Sequence, residues 1–467
     1  MQRSTDEDGS RPVWDLLPGG RGDTPKARER ASSSAAQGTV VTHGGGEVTL
    51  LERALERQNL LRALKRVEHN AGAPGIDGMT VAQLRPWLRD HWAHIREEIL
   101  QGRYWPQPVR RVDIPKPGGA VRHLGIPTVL DRLIQQALLQ VLTPIFDLHF
   151  SAYSYGYRPG RRAHDAVRQA REYVREGRRW VVDLDLDRFF DRVNHDMLMA
   201  RIARRVQDKR VLKLLRAYLN AGVMANGVVM ETAEGTPQGG PLSPLLANIL
   251  LDDLDRELER RDHCFVRYAD DVNIYVATPR AGERVRLSIT QFLERRLKLR
   301  VNTEKSAVDR ATRRAILGFT FFPGRQAKLR VDPQALANVK AAIRRITRRS
   351  RSQSMAKRIQ TLNEYMRGWV NYFALAETPS VFGDLEEWMR RRLRLCLWRQ
   401  WRRARTRYRE LRSLGASERN ARQLARTRHG PWRIAGKGLG RVLGTAVWTG
   451  QGLESVTQQY ARLRAAW

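Results

Sequence analysis

Two acidic stretches decide the fold: RRWVVDLDLDRFF at residues 178–190 and FVRYADDVNIYVA at residues 265–277. Side chains alternate across an extended strand, so the first stretch sends Val182, Leu184 and Leu186 to one face and Asp183, Asp185 and Asp187 to the other. The second reads as two short strands joined by a turn at Ala269 to Asp271, which puts an acidic pair at a hairpin tip. Asp185 and the pair Asp270 and Asp271 are far apart in the chain, yet neighbouring antiparallel strands would bring them together. Carboxylates on rigid strands suit Mg²⁺, and joining a nucleotide to a chain end calls for two such ions. Either cluster alone is weak, because paired acids more often form a solvated turn or a structural ion-pair site. Asp183 and Asp187 read best as solvated neighbours on the strand face.

Outward from these strands, helices and strands follow one another in an α+β order. Leu51, Leu55, Leu61, Leu64 and Val67 suit an amphipathic helix over 50–67, closed by a Gly/Pro turn, and a second helix follows over 81–100. Residues 108–127 alternate short apolar runs with Pro and Gly, which predicts a hairpin carrying a basic tip. Helices are expected over 129–142, 196–206, 208–220 and 282–297, and a strand over 227–232. The loop EGTPQGGPLSP at 234–244 opens a further helix to about Arg260. Beyond Val331 only helices remain, with Ile359, Leu362, Met366, Trp369 and Phe373 at the spacing of one buried face. Residues 390–412 pack eleven arginines around Trp398 and Trp401, and the last 50 residues are again basic.

With 84 Lys and Arg against 49 Asp and Glu, the formal charge is +35, which self-repels unless a polyanion sits against it. Nucleic acid is the expected partner, although only 11 of those cations are lysine and a GC-rich genome also inflates arginine. Two cysteines, Cys264 and Cys396, exclude a disulfide framework and a cysteine-rich zinc module and fit a reducing cytoplasm. No run of roughly 18–20 apolar residues offers a membrane span and no secretory leader opens the chain, so a soluble protein without membrane partners is expected. Residues 1–48, rich in Gly, Ser, Thr and Arg, read as a disordered arm.

YADD at 268–271 and VVDLDLDRFF at 181–190 resemble the catalytic motifs of reverse transcriptases. Further blocks occur in that family's order over roughly 50–325: IPKPGGAVRHLGIP at 114–127, SYGYRPGRRAHDA at 154–166, TPQGGPLSP at 236–244, LRVNTEKSAV at 299–308 and ILGFTFF at 316–322. The resemblance implies a right-hand fold of fingers and palm, in which Asp185, Asp270 and Asp271 are the catalytic residues and the ligands of two Mg²⁺ ions. It implies that Phe190 lies under the sugar of the incoming deoxynucleoside triphosphate, that Gln238 lies along the nucleotide, and that Lys116 and Arg122 grip the triphosphate. Lys305 would donate a proton to pyrophosphate. Arg158 would be structural or touch the template, and ILGFTFF would be the last palm strand.

RGWVNYF at 367–373, within the helical part, is similar to the thumb and maturase segment of bacterial group II intron proteins. That resemblance implies binding of intron RNA that assists splicing and mobility, through Arg390, Arg391, Arg394, Arg399, Arg402 and Arg403, with exposed Trp stacking on bases. The expected division is a leader over 1–48, a helical extension of the fingers over 49–107, fingers and palm over 108–325, thumb and maturase domain over 326–412, and a basic DNA-binding region over 413–467. No His/Cys cluster of an HNH endonuclease follows, so a compact lineage that primes on single-stranded or replicating DNA target is expected. Two alternatives stand: a domesticated or defence-associated reverse transcriptase, which usually lacks the maturase-like helices, and a non-catalytic RNA-binding maturase, which commonly loses the YADD acids.

Overall fold

The computed structural model describes residues 49–115, 121–225, 228–230, 235, 239–348 and 353–466. The leader, Lys116 and Gln238 lie outside the described residues. Contacts divide the chain into two compact units, one ending at Arg310 and one beginning at Ala311. Among the described residues ten strands occur: β1 (Val109–Pro115), β2 (Val121–Ile126), β3 (Trp180–Leu184), β4 (Val223–Ala225), β5 (Val228–Met230), β6 (Cys264–Tyr268), β7 (Asp271–Val276), β8 (Ala307–Arg310), β9 (Phe319–Phe321) and β10 (Leu329–Val331).

In the first unit, β1 and β2 form the expected hairpin, paired from Arg110 with Ile126 to Pro115 with Val121. The short β4 joins β1 in parallel and carries β5, so the fingers sheet runs β2-β1-β4-β5. The helix expected over 50–67 breaks into Leu50–Ala54 and Arg57–Asn70. At the break the buried Asn59 amide donates to the carbonyls of Ala54 (2.8 Å) and Ala137 (3.0 Å), tying the kink to the helix Val129–Asp147.

The second sheet runs β6-β7-β3-β8, all antiparallel, with β3 between the hairpin strand β7 and β8. Its apolar face buries Val182, Leu184, Phe265, Val272 and Ile274. Against that face lies the helix Pro279–Arg296, where Gly282 permits close approach: an added Cβ would come 2.5 Å from Val308. Asp183 and Asp185 point to the other side, as the alternation predicts.

One side chain on the buried face is charged. Arg267 is fully buried, its guanidinium donating to both oxygens of the buried Asp255 (2.7 and 2.6 Å), to the Asn248 amide oxygen (2.8 Å) and to the Ala269 carbonyl (3.0 Å). Burial pushes the Asp255 carboxyl up, and Arg267 pulls it back toward the charged form. Such a pair persists only because nearly every polar atom is satisfied.

The second unit places β9 differently from the expectation. It pairs with β10, not with the palm sheet, because Phe319 and Phe321 turn toward the aromatic face of the helix Met355–Phe373. Phe319 lies 5.1 Å from Phe373 and 5.7 Å from Tyr372, whose hydroxyl donates to the Leu317 carbonyl (2.9 Å). β9 and β10 thus belong to the second unit, which begins at Ala311. Ile359, Leu362, Met366, Trp369 and Phe373 are all buried, as their spacing predicts.

The last residues do not stand apart from these helices. The helix Val456–Ala465 lies on Met355–Phe373 and Pro379–Gln400. Tyr460 stacks on Phe382 at 4.1 Å and donates to the Ala376 carbonyl, and Glu386 accepts from Thr457 and Ser455. Arg367 pairs with Glu454. Among the described residues no helix is long and apolar enough to cross a membrane.

Replacing Asp255 with Leu leaves Arg267 buried without its counter-charge, which is expected to cost about 3–5 kcal/mol of stability. Urea unfolding of the Asp255→Leu protein checks it, and an unchanged midpoint would remove the pair from the scaffold.

Candidate active site

β3 and β7 pair up to Leu184 with Val272, so the next residue of β3, Asp185, lies alongside the preceding residue of β7, Asp271. Asp271 is in turn opposite Tyr268 across the hairpin. Paired residues share a face, so Asp183, Asp185, Asp271 and Tyr268 crowd one side of the sheet.

Each acid is fixed through its backbone. The Asp185 amide donates to the Ser306 hydroxyl (2.9 Å), and its carbonyl accepts from the Asn302 amide (2.8 Å). The same 302–306 turn carries Lys305, whose Nζ lies 3.7 Å from Asp185 Oδ2. At the hairpin tip Ala269 has φ +58°, the left-handed region. That turn rests on Gly156, where an added Cβ would stand 2.3 Å from the Ala269 nitrogen. Asn248 holds Gly156 in place by donating to its carbonyl (2.9 Å), and Arg267 holds Ala269 from below.

The electrostatics register the crowding. Burial, then the negative charges of Asp270, Asp183 and Asp185, push the Asp271 carboxyl up to about 7. The side chain keeps an exposed edge beside these three like charges. Burial and Asp183 likewise push the Tyr275 hydroxyl up. Asp187 leaves the group: it pairs with Arg192 at 3.1 Å, and its amide donates to the Arg300 carbonyl.

Among the described residues no three His, Cys, Asp or Glu side chains are gathered closely enough to hold a metal ion as they stand. The strands bring together charge, not a finished cage. The donor set still fits a hard divalent cation, because it consists of carboxylate oxygens whose mutual repulsion, which helps to push the Asp271 carboxyl up, a counter-charge would offset.

Phe190 sits half-buried on a single 3-10 turn, Phe189–Arg192, with its ring 5.1 Å from Phe189. Gly235 packs against that turn. Gly235, at φ +102°, would bring a Cβ within 3.1 Å of the Phe190 carbonyl, and its own amide donates to the Val193 carbonyl. Gly239, at φ +132°, lies so near β2 that a Cβ would meet the Gly125 carbonyl at 2.5 Å. Arg122 stands opposite Ile114 in the fingers hairpin; its side chain lies outside the described atoms.

Arg158 is structural. It is buried and donates to the Asp147 carboxylate (2.7 Å) and to the carbonyls of Ser151, Ser154 and Asp147. Sequence reasoning does not single out the supports Gly156, Asn248, Arg267 and Ser306, although Gly156 and Ser306 lie inside the SYGYRPG and LRVNTEKSAV blocks and Arg267 immediately precedes YADD.

In the second unit the arginine cluster splits. Arg394 is 7% exposed and donates to the Ala435 and Gly436 carbonyls, so it holds the C-terminal turn and presents nothing to RNA. Arg390 is tied to Glu386, and Arg391 stacks at 4.0 Å on Trp432 while donating to its carbonyl. Arg399, Arg402 and Arg403 are exposed. Trp398 and Trp401 are buried, against the expectation of exposed stacking rings; Arg407 lies 4.3 Å over Trp398. Trp432, at 40% exposure, is the open ring of this region.

Residues 114–321 match the family profile for reverse transcriptase (RNA-dependent DNA polymerase), and residues 336–415 match that for the maturase-specific domain of group II introns. The chain is 34% identical over 305 residues to Protein YkfC of Escherichia coli, covering 55% of this chain and 80% of that one. It is 42% identical over 164 residues to the group II intron-encoded protein LtrA of Lactococcus lactis, covering 35% of this chain but 27% of the relative. A solved partial Cas6-RT-Cas1–Cas2 complex aligns at a TM-score of 0.36 and 25% identity, over 53% of this chain and 42% of that one.

Because the folded Asp271 takes up a proton that the unfolded chain releases near the ordinary carboxylate value of 3.8, stability is expected to fall as pH rises from about 4 to about 7. Asp271→Asn should flatten that slope in metal-free unfolding curves; an unchanged slope would contradict the crowding.

Proposed function

The chain belongs to the bacterial group II intron-encoded reverse transcriptases and maturases, and from that premise we propose that its first unit copies RNA into DNA while its second binds intron RNA to assist splicing and mobility. The observation that carries the polymerase reading is the pairing of β3 with β7, which sets Asp185 beside Asp271. Asp185, Asp270 and Asp271 would hold two Mg²⁺ ions. When bound, such ions acidify the attacking hydroxyl and offset charge on the departing pyrophosphate.

The chain's own residues do the positioning. Phe190, held by the Gly235 loop, blocks a 2′-hydroxyl by bulk and so selects deoxynucleotides. Lys116 and Arg122, flanking the fingers tip, neutralise the triphosphate, and Gln238 lies along the nucleotide. Lys305, whose Nζ lies 3.7 Å from Asp185, would donate a proton to the departing pyrophosphate.

For RNA, Arg399, Arg402 and Arg403 supply the free guanidinium groups and Arg391 on Trp432 an aromatic and cationic surface. Arg390 and Arg394 act through the scaffold. The basic residues beyond 413 would meet DNA. The chain spans about a quarter of LtrA, so intron mobility and target choice belong to this proposal.

Primer extension on an RNA template with Mg²⁺ and deoxynucleotides should give cDNA with the native protein and background with Asp270→Ala plus Asp271→Ala. A native protein that makes no cDNA would sink the catalytic reading. The same double variant should still promote splicing of the flanking intron, and splicing that proceeds equally without protein would remove the maturase role. Phe190→Ala should raise ribonucleotide use relative to deoxynucleotide use by roughly tenfold or more, since discrimination by a clash is lost with the clashing side chain. Unaltered selectivity in single-nucleotide incorporation would take Phe190 out of that role.

A further inference from the structure

Tyr157 combines two features that a merely structural tyrosine does not need. Its φ is +57°, a left-handed conformation that a side chain with a β-carbon adopts at a cost, and 52% of its surface is exposed. The strain is imposed from both sides. Before it, Gly156 is wedged under the Ala269 nitrogen and held by Asn248. After it, Arg158 is locked by four hydrogen bonds to Asp147, Ser151 and Ser154. Rigid neighbours thus force an aromatic ring outward, and a strained residue of that kind points toward function.

Its position says which function. The Tyr157 ring lies 6.4 Å from that of Tyr268, tilted by 41°. Tyr268 is paired with Asp271 and shares its face, so the Tyr157 ring neighbours the ring that stands beside that carboxylate. An exposed aromatic ring beside a site that handles polynucleotide offers stacking, which tolerates any base because every base has a π-face.

We propose that Tyr157 is a substrate-contacting residue whose ring, with Tyr268, forms an aromatic platform for a nucleotide of the primer–template beside the reacting end. The proposal rests on the polymerase reading for the identity of the ligand. The contacting nucleotide belongs either to the primer terminus or to the template opposite it, and stacking chemistry is common to both.

The test places 2-aminopurine, whose fluorescence is quenched by stacking, either at the primer 3′ end or at the template position opposite. The native protein should quench one of the two probes, and that arm names the strand. Tyr157→Ala and Tyr157→Gly should lose the quenching, and Tyr157→Phe should keep it. In primer extension the KM for primer–template should rise roughly tenfold in the Ala and Gly variants, the scale of one base lost from an aromatic ring, and should be close to native in the Phe variant. The Gly variant should melt no lower than the native protein, because glycine relieves the strained φ. Quenching of neither probe, quenching retained in the Gly variant, or a melting temperature that falls along with activity in that variant would each overturn the platform. Tyr157-dependent quenching by a native protein that extends no primer would overturn the catalytic reading and leave the platform standing.

Discussion

Like charges on one strand face repel, and the first unit is organised around keeping Asp185 next to Asp271 in spite of it. The backbone pairing of β3 with β7 dictates the adjacency. The 302–306 turn grips Asp185 from the far edge of the sheet, and Arg267 grips the hairpin tip from the buried side. Lys305 offsets part of the remaining repulsion, and the crowding raises the affinity of the Asp271 carboxyl for a proton. A divalent cation among these carboxylates would offset the same repulsion more fully.

The loops around the acids are ordered by close approach. Gly156 under Ala269, Gly235 against Phe190 and Gly239 against Gly125 are places where a single added methyl group would displace backbone. Each fixes its own pair of segments: the acidic hairpin tip on Gly156, the aromatic turn on Gly235 and the fingers hairpin on Gly239. Arginine plays two roles in this chain. Arg158, Arg267 and Arg394 are buried and spend their hydrogen bonds on carbonyls and carboxylates. The excess behind the +35 charge is carried by exposed groups such as Arg399, Arg402 and Arg403, which suit phosphate.

What the sequence made legible follows from which signals are local. Alternation in β3, the two-strand pattern around YADD and the Pro- and Gly-bounded hairpin of the fingers are local, and each is found where expected. The face Ile359 to Phe373 is legible for the same reason. β4 and β8 were not, because three or four residues give too little pattern. β9 was misplaced because its apolar run says that it is buried but not against which partner, and the aromatic helix of the second unit supplies that partner. Arg394 and Trp398 show a further limit: in a run of eleven arginines, one-dimensional spacing does not separate the side chains that face the helical core from those that face out. The supports of the acids are contacts across long stretches of chain and left no mark of their own.

If the chain copies RNA as proposed, Asp185 and the pair at 270 and 271 serve one shared ion site. Counting bound Mn²⁺ by electron paramagnetic resonance, on a complex with a primer ending in a dideoxynucleotide and the next deoxynucleoside triphosphate, tests it most directly. The account predicts two ions per chain, the number a two-metal transfer requires, and the loss of at least one in Asp185→Asn and in Asp271→Asn alike. The same count and affinity in both variants as in the native chain would contradict it.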